Sequence, residues 1–100
     1  MTVKIIGNDK GSPPGKLADA ELYFSEGVLE GLKLTGFAVW ERRNGDGRNV
    51  TFPARSFSVN GERRSFALLR PITDSTAHNR IRDIILAAYD EHAGAPVETV

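Results

Sequence analysis

Two Asn-Gly pairs, Asn44-Gly45 and Asn60-Gly61, divide the middle of this chain, and each lies between runs rich in apolar residues. Asparagine and glycine tolerate the positive φ angles of the tight turns that join neighbouring antiparallel strands. Asp46-Gly47 directly after the first pair strengthens the same signal. The sequence therefore predicts two successive β-hairpins, and chains built this way form antiparallel sheets.

Apolar and polar residues also alternate elsewhere, which is the pattern of a half-buried strand. Gly31 and Gly36 interrupt the longest such run and indicate a bend or a bulge there, because each would cost a helix about 1 kcal/mol. We expect an antiparallel sheet of about five strands. The segments predicted to be extended are 2–6, 16–25, 28–41, 48–54, 57–59 and 64–72.

A single amphipathic helix is predicted after Pro71. Asp74, Ser75 or Thr76 can each accept a hydrogen bond from its first free amides, and the sequence leaves open which one does. Its apolar stripe comprises Ala77, Ile81, Ile84, Ile85, Ala88 and Tyr89. The chain is thus an expected α+β domain over residues 1–93, followed by a loose C-terminal tail at 94–100.

Composition narrows the class of protein. Of 100 residues, 40% are hydrophobic and 26% are charged, which is typical of a globular domain that folds in water. Cysteine is absent, so neither disulfides nor thiol chemistry is possible. No signal peptide is recognisable, and we expect a cytoplasmic protein with no membrane partner.

The residue types that could support catalysis or metal binding do not converge. His78 and His92 lie about 21 Å apart along the predicted helix, too far to share a metal ion. Asp74, Ser75 and His78 are better explained by helix capping than by nucleophilic catalysis. We therefore expect no enzyme activity, cofactor, metal ion or small-molecule substrate.

Charge is distributed unevenly although the formal net charge is zero. Residues 17–41 and 83–100 each carry a net charge of −4, whereas residues 42–82 carry nine arginines against three acids, a net charge of +6. Arginine binds phosphate in bidentate fashion and stacks on bases, so this block suits a polyanionic partner. Its arginines are Arg42, Arg43, Arg48, Arg55, Arg63, Arg64, Arg70, Arg80 and Arg82.

Several local strings, in their order along the chain, resemble the SpoVG family of bacterial regulators. The resemblance spans roughly residues 2–92. The matching strings are Leu32-Lys33-Leu34 leading to Trp40 and a glycine-containing turn, Phe52-Pro53-Ala54-Arg55, Asn60-Gly61-Glu62 followed by Arg64, Pro71-Ile72, and the helix from Ser75 through Asp83 to Tyr89.

The resemblance implies a small α+β fold that forms a homodimer through its sheet and a regulator that binds DNA, with RNA binding also known in the family. In that family the start of the C-terminal helix influences nucleic-acid binding, and its basic position corresponds to Arg80, flanked by His78 and Arg82. Arg55 and Arg64 match basic positions of the second hairpin. Together with Arg63, these residues form the predicted nucleic-acid-binding set.

Three departures from the family pattern concern the target sequence rather than the fold. Ser65 replaces an acid, Arg70 replaces a histidine before the proline, and the strand between Gly61 and Pro71 is longer. An alternative function is a non-catalytic protein-interaction module. In that case the arginines would pair with an acidic partner, or with Glu21, Glu26, Glu30 and Glu41 of the dimer itself.

Overall fold

The structure is a computed structural model that describes residues 1–10, 12–42 and 47–93. Within these residues it contains six strands, one short 3-10 helix at Gly27–Leu29 and one α-helix. The strands are β1 (Thr2–Gly7), β2 (Lys16–Tyr23), β3 (Lys33–Glu41), β4 (Arg48–Thr51), β5 (Ala54–Val59) and β6 (Glu62–Ala67), and the helix is α1 (Thr76–Ala93). The predicted α+β class, with antiparallel strands preceding one C-terminal helix, is confirmed.

The strands form two sheets where we expected one sheet of about five strands. An antiparallel four-stranded sheet has the order β1-β2-β3-β4, and β5 and β6 form a separate two-stranded hairpin. The division occurs at Phe52-Pro53, within the segment that we expected to be one strand to residue 54. Proline has no backbone N–H to donate to a ladder, and the described β4 ends at Thr51, directly before this pair.

The bulge predicted near the two glycines is present in β3. Ala20 faces Phe37, but Leu22 faces Leu34, so β3 contains one residue more than β2 over this stretch. Gly36 lies at the extra residue with a φ of +108°. The strand begins later than expected, at Lys33, because residues 27–29 form the 3-10 helix instead.

The core lies between the four-stranded sheet and α1. Alternate residues of β2 and β3 point toward the helix, which contributes Ile85 as its fully buried residue. The helix stripe is rotated slightly from our prediction, since Leu86 is partly buried and Ile84 is exposed. The buried cluster consists of Ala18, Ala20, Leu22, Phe37, Val39, Val50 and Ile85.

The β5–β6 hairpin turns at the predicted pair. Asn60 and Gly61 have φ angles of 54° and 78°, the left-handed conformation that such a two-residue turn requires. The returning strand ends at Ala67, earlier than we expected, although the N–H of Leu68 still donates to the carbonyl oxygen of Pro53 at 2.9 Å. The other predicted turn, at 44–47, lies outside the described residues except for Gly47. The predicted tail at 94–100 lies wholly outside them.

Gly36 also permits a close approach between the sheet and the base of the hairpin. A Cβ atom added at Gly36 would lie 2.8 Å from the Cβ of Pro53, which is buried. Such a distance is shorter than van der Waals contact allows. The position of Pro53, from which the hairpin starts, therefore requires glycine at residue 36.

We expect Gly36→Ala to lower the free energy of unfolding by about 2–5 kcal/mol, combining a left-handed backbone cost of about 1–2 kcal/mol with overpacking of about 1–3 kcal/mol. Urea denaturation measures this change. Gly31→Ala is the matched control, because Gly31 has a φ of +89° but an added Cβ would meet nothing within 4 Å. Equal losses in the two variants would show that contact with Pro53 is unimportant.

Candidate nucleic-acid interface

The register of the β5–β6 hairpin brings arginine and phenylalanine together on one of its faces. Arg55 lies opposite Phe66, and Phe57 lies opposite Arg64. Directly opposed residues of an antiparallel pair point to the same side, and side chains alternate along each strand. These four residues, which we call the Phe/Arg face, therefore form a checkerboard of two aromatic and two guanidinium groups.

Both aromatic rings of the Phe/Arg face are open to solvent. Phe57 is 39% exposed and Phe66 is 43% exposed, and the rings contact one another edge to face with centroids 5.8 Å apart. Neither β5 nor β6 packs extensively against the four-stranded sheet or α1 within the described residues. An isolated two-stranded hairpin is at best marginally stable in water, and exposed aromatic groups of this kind mark interaction surfaces.

The arginines of the hairpin are weakly engaged within the chain. Arg64 contacts Glu62 at 2.9 Å between Nη2 and Oε1, but both side chains are more than half exposed. Exposed ion pairs contribute only about 0–1 kcal/mol, so an anionic ligand can displace this one. The salt bridges of the described residues include neither Arg55 nor Arg63.

Arg63 lies on the other face of the hairpin. It is opposite Ser58, and Ser56 opposes Ser65 on the same side. Apart from Arg63, the side chains here are small, so this face has a flat profile. The three predicted hairpin arginines are therefore divided, with two on the Phe/Arg face and one behind it.

The helix start holds the remaining predicted residues. Asp74 Oδ1 accepts a hydrogen bond from the N–H of Thr76 at 2.9 Å. Of the three candidates Asp74, Ser75 and Thr76, it is therefore Asp74 whose side chain accepts from a free amide at the helix start. That backbone hydrogen bond lowers the pKa of Asp74 from its ordinary value. A carboxylate at this end also interacts favourably with the helix dipole.

Arg80 and Arg82 point to different sides of α1, because residues two apart on a helix are separated by about 200°. Arg82 donates to Asn79 Oδ1 at 3.2 Å and to Asp83 Oδ1 at 3.0 Å. No salt bridge of the described residues includes Arg80, which is exposed. The two helical arginines therefore do not form a single pair of adjacent guanidinium groups.

His78 is packed against an aromatic residue of the core periphery. Its ring stacks on Phe52 with centroids 3.7 Å apart and an interplanar angle of 17°. Phe52 in turn contacts Phe37 edge to face at 5.1 Å. One face of the imidazole is therefore covered, and His78 links the helix start to the segment from which the hairpin begins.

An apolar cavity of about 220 Å³ adjoins this stack. Arg70, at its lining, is a basic residue that the predicted set omitted. The segments that flank the hairpin, at residues 52 and 69–71, meet the helix start around this cavity, whose lining includes Phe52, Leu69, Arg70, Pro71, His78 and Ile81.

Sequence reasoning also missed Phe57 and Phe66. Their signal was available, because a two-residue turn at Asn60-Gly61 fixes which residues of the two strands oppose one another. Counting outward from that turn places Phe57 opposite Arg64 and Arg55 opposite Phe66, as observed. The predicted arginines alone did not reveal this aromatic component.

The four acids that the alternative function pairs with the arginines form no salt bridge with an arginine in the described residues. Glu21 contacts Lys33 at 3.3 Å, and this hydrogen bond is the main cause that raises the pKa of Lys33. Across residues 1–10, 12–42 and 47–93, no salt bridge joins Glu21, Glu26, Glu30 or Glu41 to an arginine. Within a single chain, these acids leave the Phe/Arg face available.

The described part of the chain lacks two features that would indicate other kinds of site. It contains no group of three or more His, Cys, Asp or Glu side chains that could hold a metal ion. None of its helices has the length and apolar character needed to cross a membrane. The sequence matches no protein-family model, no curated protein and no solved structure.

We expect Asp74→Ala to lower the melting temperature at neutral pH, because it removes the acceptor at the helix start. The folded-state pKa of Asp74 is depressed, so its contribution is present above the ordinary value of 3.8 and is lost as pH falls through the folded-state pKa. Calorimetry of wild type and variant across this range should show the difference shrink in acid. Asp74→Asn, which keeps an oxygen acceptor, should show less acid dependence, and a pH-independent difference for Asp74→Ala would contradict the assignment.

Proposed function

We propose that this chain is a nucleic-acid-binding regulatory protein of the SpoVG type that acts as a homodimer in the bacterial cytoplasm. The observation that carries the proposal is the Phe/Arg face, where Arg55 and Arg64 stand exposed beside two aromatic rings. The resemblance of several local strings to the SpoVG family favours the same function. DNA is the expected ligand, with RNA as a second one.

Electrostatics supports a polyanionic ligand. Guanidinium groups bind phosphate oxygens through paired hydrogen bonds, and neutralisation of phosphates releases condensed counterions. Arg55 and Arg64 are exposed on one surface, and Arg80 is exposed at the helix start. A phosphate backbone can therefore be held by the hairpin, and Arg80 is a further exposed basic group.

Homodimer formation is supported by strand edges that the single chain leaves unpaired in its described residues. The outer edges of β5 and β6 have no strand partner in the described structure, and an unpaired edge favours pairing with a second chain. The hairpin makes few contacts with the rest of the described chain, which leaves it accessible to another copy.

A protein-interaction module is the second candidate function. Val28 and Ile72 are 97% and 98% exposed, and an apolar cavity lies beside the helix start. Such apolar surface suits a protein partner better than it suits a phosphate backbone. Association with a protein partner in the absence of nucleic acid would favour this candidate.

We expect Arg55→Gln/Arg64→Gln to weaken nucleic-acid binding by roughly tenfold or more at low salt, because charge-assisted hydrogen bonds to phosphate are lost. The slope of log affinity against log salt should fall in magnitude by about 2 for duplex DNA. Fluorescence anisotropy titrations at several salt concentrations measure both quantities.

The matched control is Lys4→Gln/Lys10→Gln, which removes the same number of positive charges from exposed positions outside the hairpin. It should change the affinity and the salt slope much less. If both double variants behave alike, binding depends on net charge rather than on the Phe/Arg face. Absence of binding by the wild-type protein at low salt would refute the proposed function.

Sedimentation equilibrium should give a mass of twice the 10.9 kDa of one chain. The expected reason is that edge pairing gives partners to backbone groups that a single chain leaves open. Dilution should shift the equilibrium toward single chains if the interface is of ordinary size. A mass of one chain at all concentrations would contradict the homodimer.

A further inference from the structure

We infer that the Phe/Arg face binds unpaired nucleotides, with Phe57 and Phe66 stacking on bases while Arg55 and Arg64 hold the flanking phosphates. The inference rests on the proposed nucleic-acid function and specifies its ligand as single-stranded DNA or RNA. Base stacking on aromatic side chains beside a basic track is the general way in which proteins hold single strands. The face combines both components on one two-stranded ribbon.

The arrangement of the four side chains suits a strand that crosses the hairpin. Along each strand of the hairpin, residues two apart lie about 6–7 Å from each other on the same face, and directly opposed residues lie about 5 Å apart. Each phenylalanine consequently has an arginine beside it along its own strand and another across from it. A base on either ring is thus within reach of a guanidinium group for its phosphate.

Unpaired bases fit this face better than a duplex does. In a duplex each base is already stacked on its neighbours and presents only its edge in the grooves. Phenylalanine has no hydrogen-bonding group with which to recognise a base edge, but a ring that is about 40% exposed can cover the flat side of an unstacked base. The aromatic residues therefore contribute to binding only when the flat side of a base is free of stacking with its neighbours.

Charge argues against a second copy of this chain as the occupant of the same face. Two Phe/Arg faces packed against each other would bring four guanidinium groups together without compensating acids, apart from Glu62 near the turn. Burial of like charges in this way is strongly unfavourable. A polynucleotide supplies the compensating negative charge and the flat apolar surface together.

Anisotropy titrations with fluorescent oligothymidylate and oligouridylate of about 20 nucleotides, and with a mixed-sequence duplex of the same length, test the inference. The wild-type protein should bind the single strands more tightly than the duplex. Phe57→Ala and Phe66→Ala should each weaken single-strand binding by about 5- to 150-fold and should leave duplex affinity nearly unchanged. The two single-stranded probes show whether DNA or RNA is preferred.

Two further substitutions separate stacking from folding of the hairpin. Phe57→Leu keeps an apolar side chain but lacks a flat ring, so it should lose single-strand affinity, whereas Phe57→Trp should retain or increase it. Val28→Ala and Ile72→Ala remove exposed apolar groups outside the hairpin and serve as controls with unchanged binding. Circular dichroism should show that each variant retains the fold.

The stacking inference and the proposed function can fail separately. Equal weakening of single-strand and duplex binding in the phenylalanine variants, or tighter duplex binding by wild type, overturns the stacking inference but leaves the proposed function in place. Conversion of the dimer to single chains by Phe57→Ala, seen by sedimentation, overturns it as well, because the face would then be a protein interface. Failure of wild type to bind any probe at low salt overturns the proposed function itself.

Discussion

The close approach of Pro53 to Gly36 is the constraint on which the architecture depends. Gly36 supplies both the left-handed backbone of the β3 bulge and the open space that Pro53 occupies. Proline at this position cannot extend the ladder of the four-stranded sheet, so the chain leaves it and starts a second, independent ribbon. The exposed hairpin is therefore a consequence of local backbone chemistry in two segments that are distant in sequence.

Much of the fold follows from short-range signals. The Asn60-Gly61 turn, the bulge in β3 and the amphipathic helix each depend on residues that are neighbours along the chain, and each was predicted. The division into two sheets was not, because it depends on contact between residues 36 and 53. No periodicity in either segment indicates that the two will meet, although Pro53 alone could have indicated an end to its strand.

The candidate site was predicted in part. The basic residues stood out from charge distribution along the sequence, but their grouping required the pairing register, which places Arg63 behind the hairpin and Arg64 in front. His78 was chosen for its position in the helix start, and its stacking on Phe52 could not be inferred because that contact is made by tertiary packing. Assignment of these residues to nucleic-acid binding remains a prediction.

None of the buried residues within 1–10, 12–42 and 47–93 belongs to β5 or β6. The ribbon consequently contributes no side chain to the core between the four-stranded sheet and α1. Substitutions along it are released from the packing constraints that govern β2, β3 and α1. The surface chemistry of the ribbon can therefore change while the core of the molecule keeps its packing.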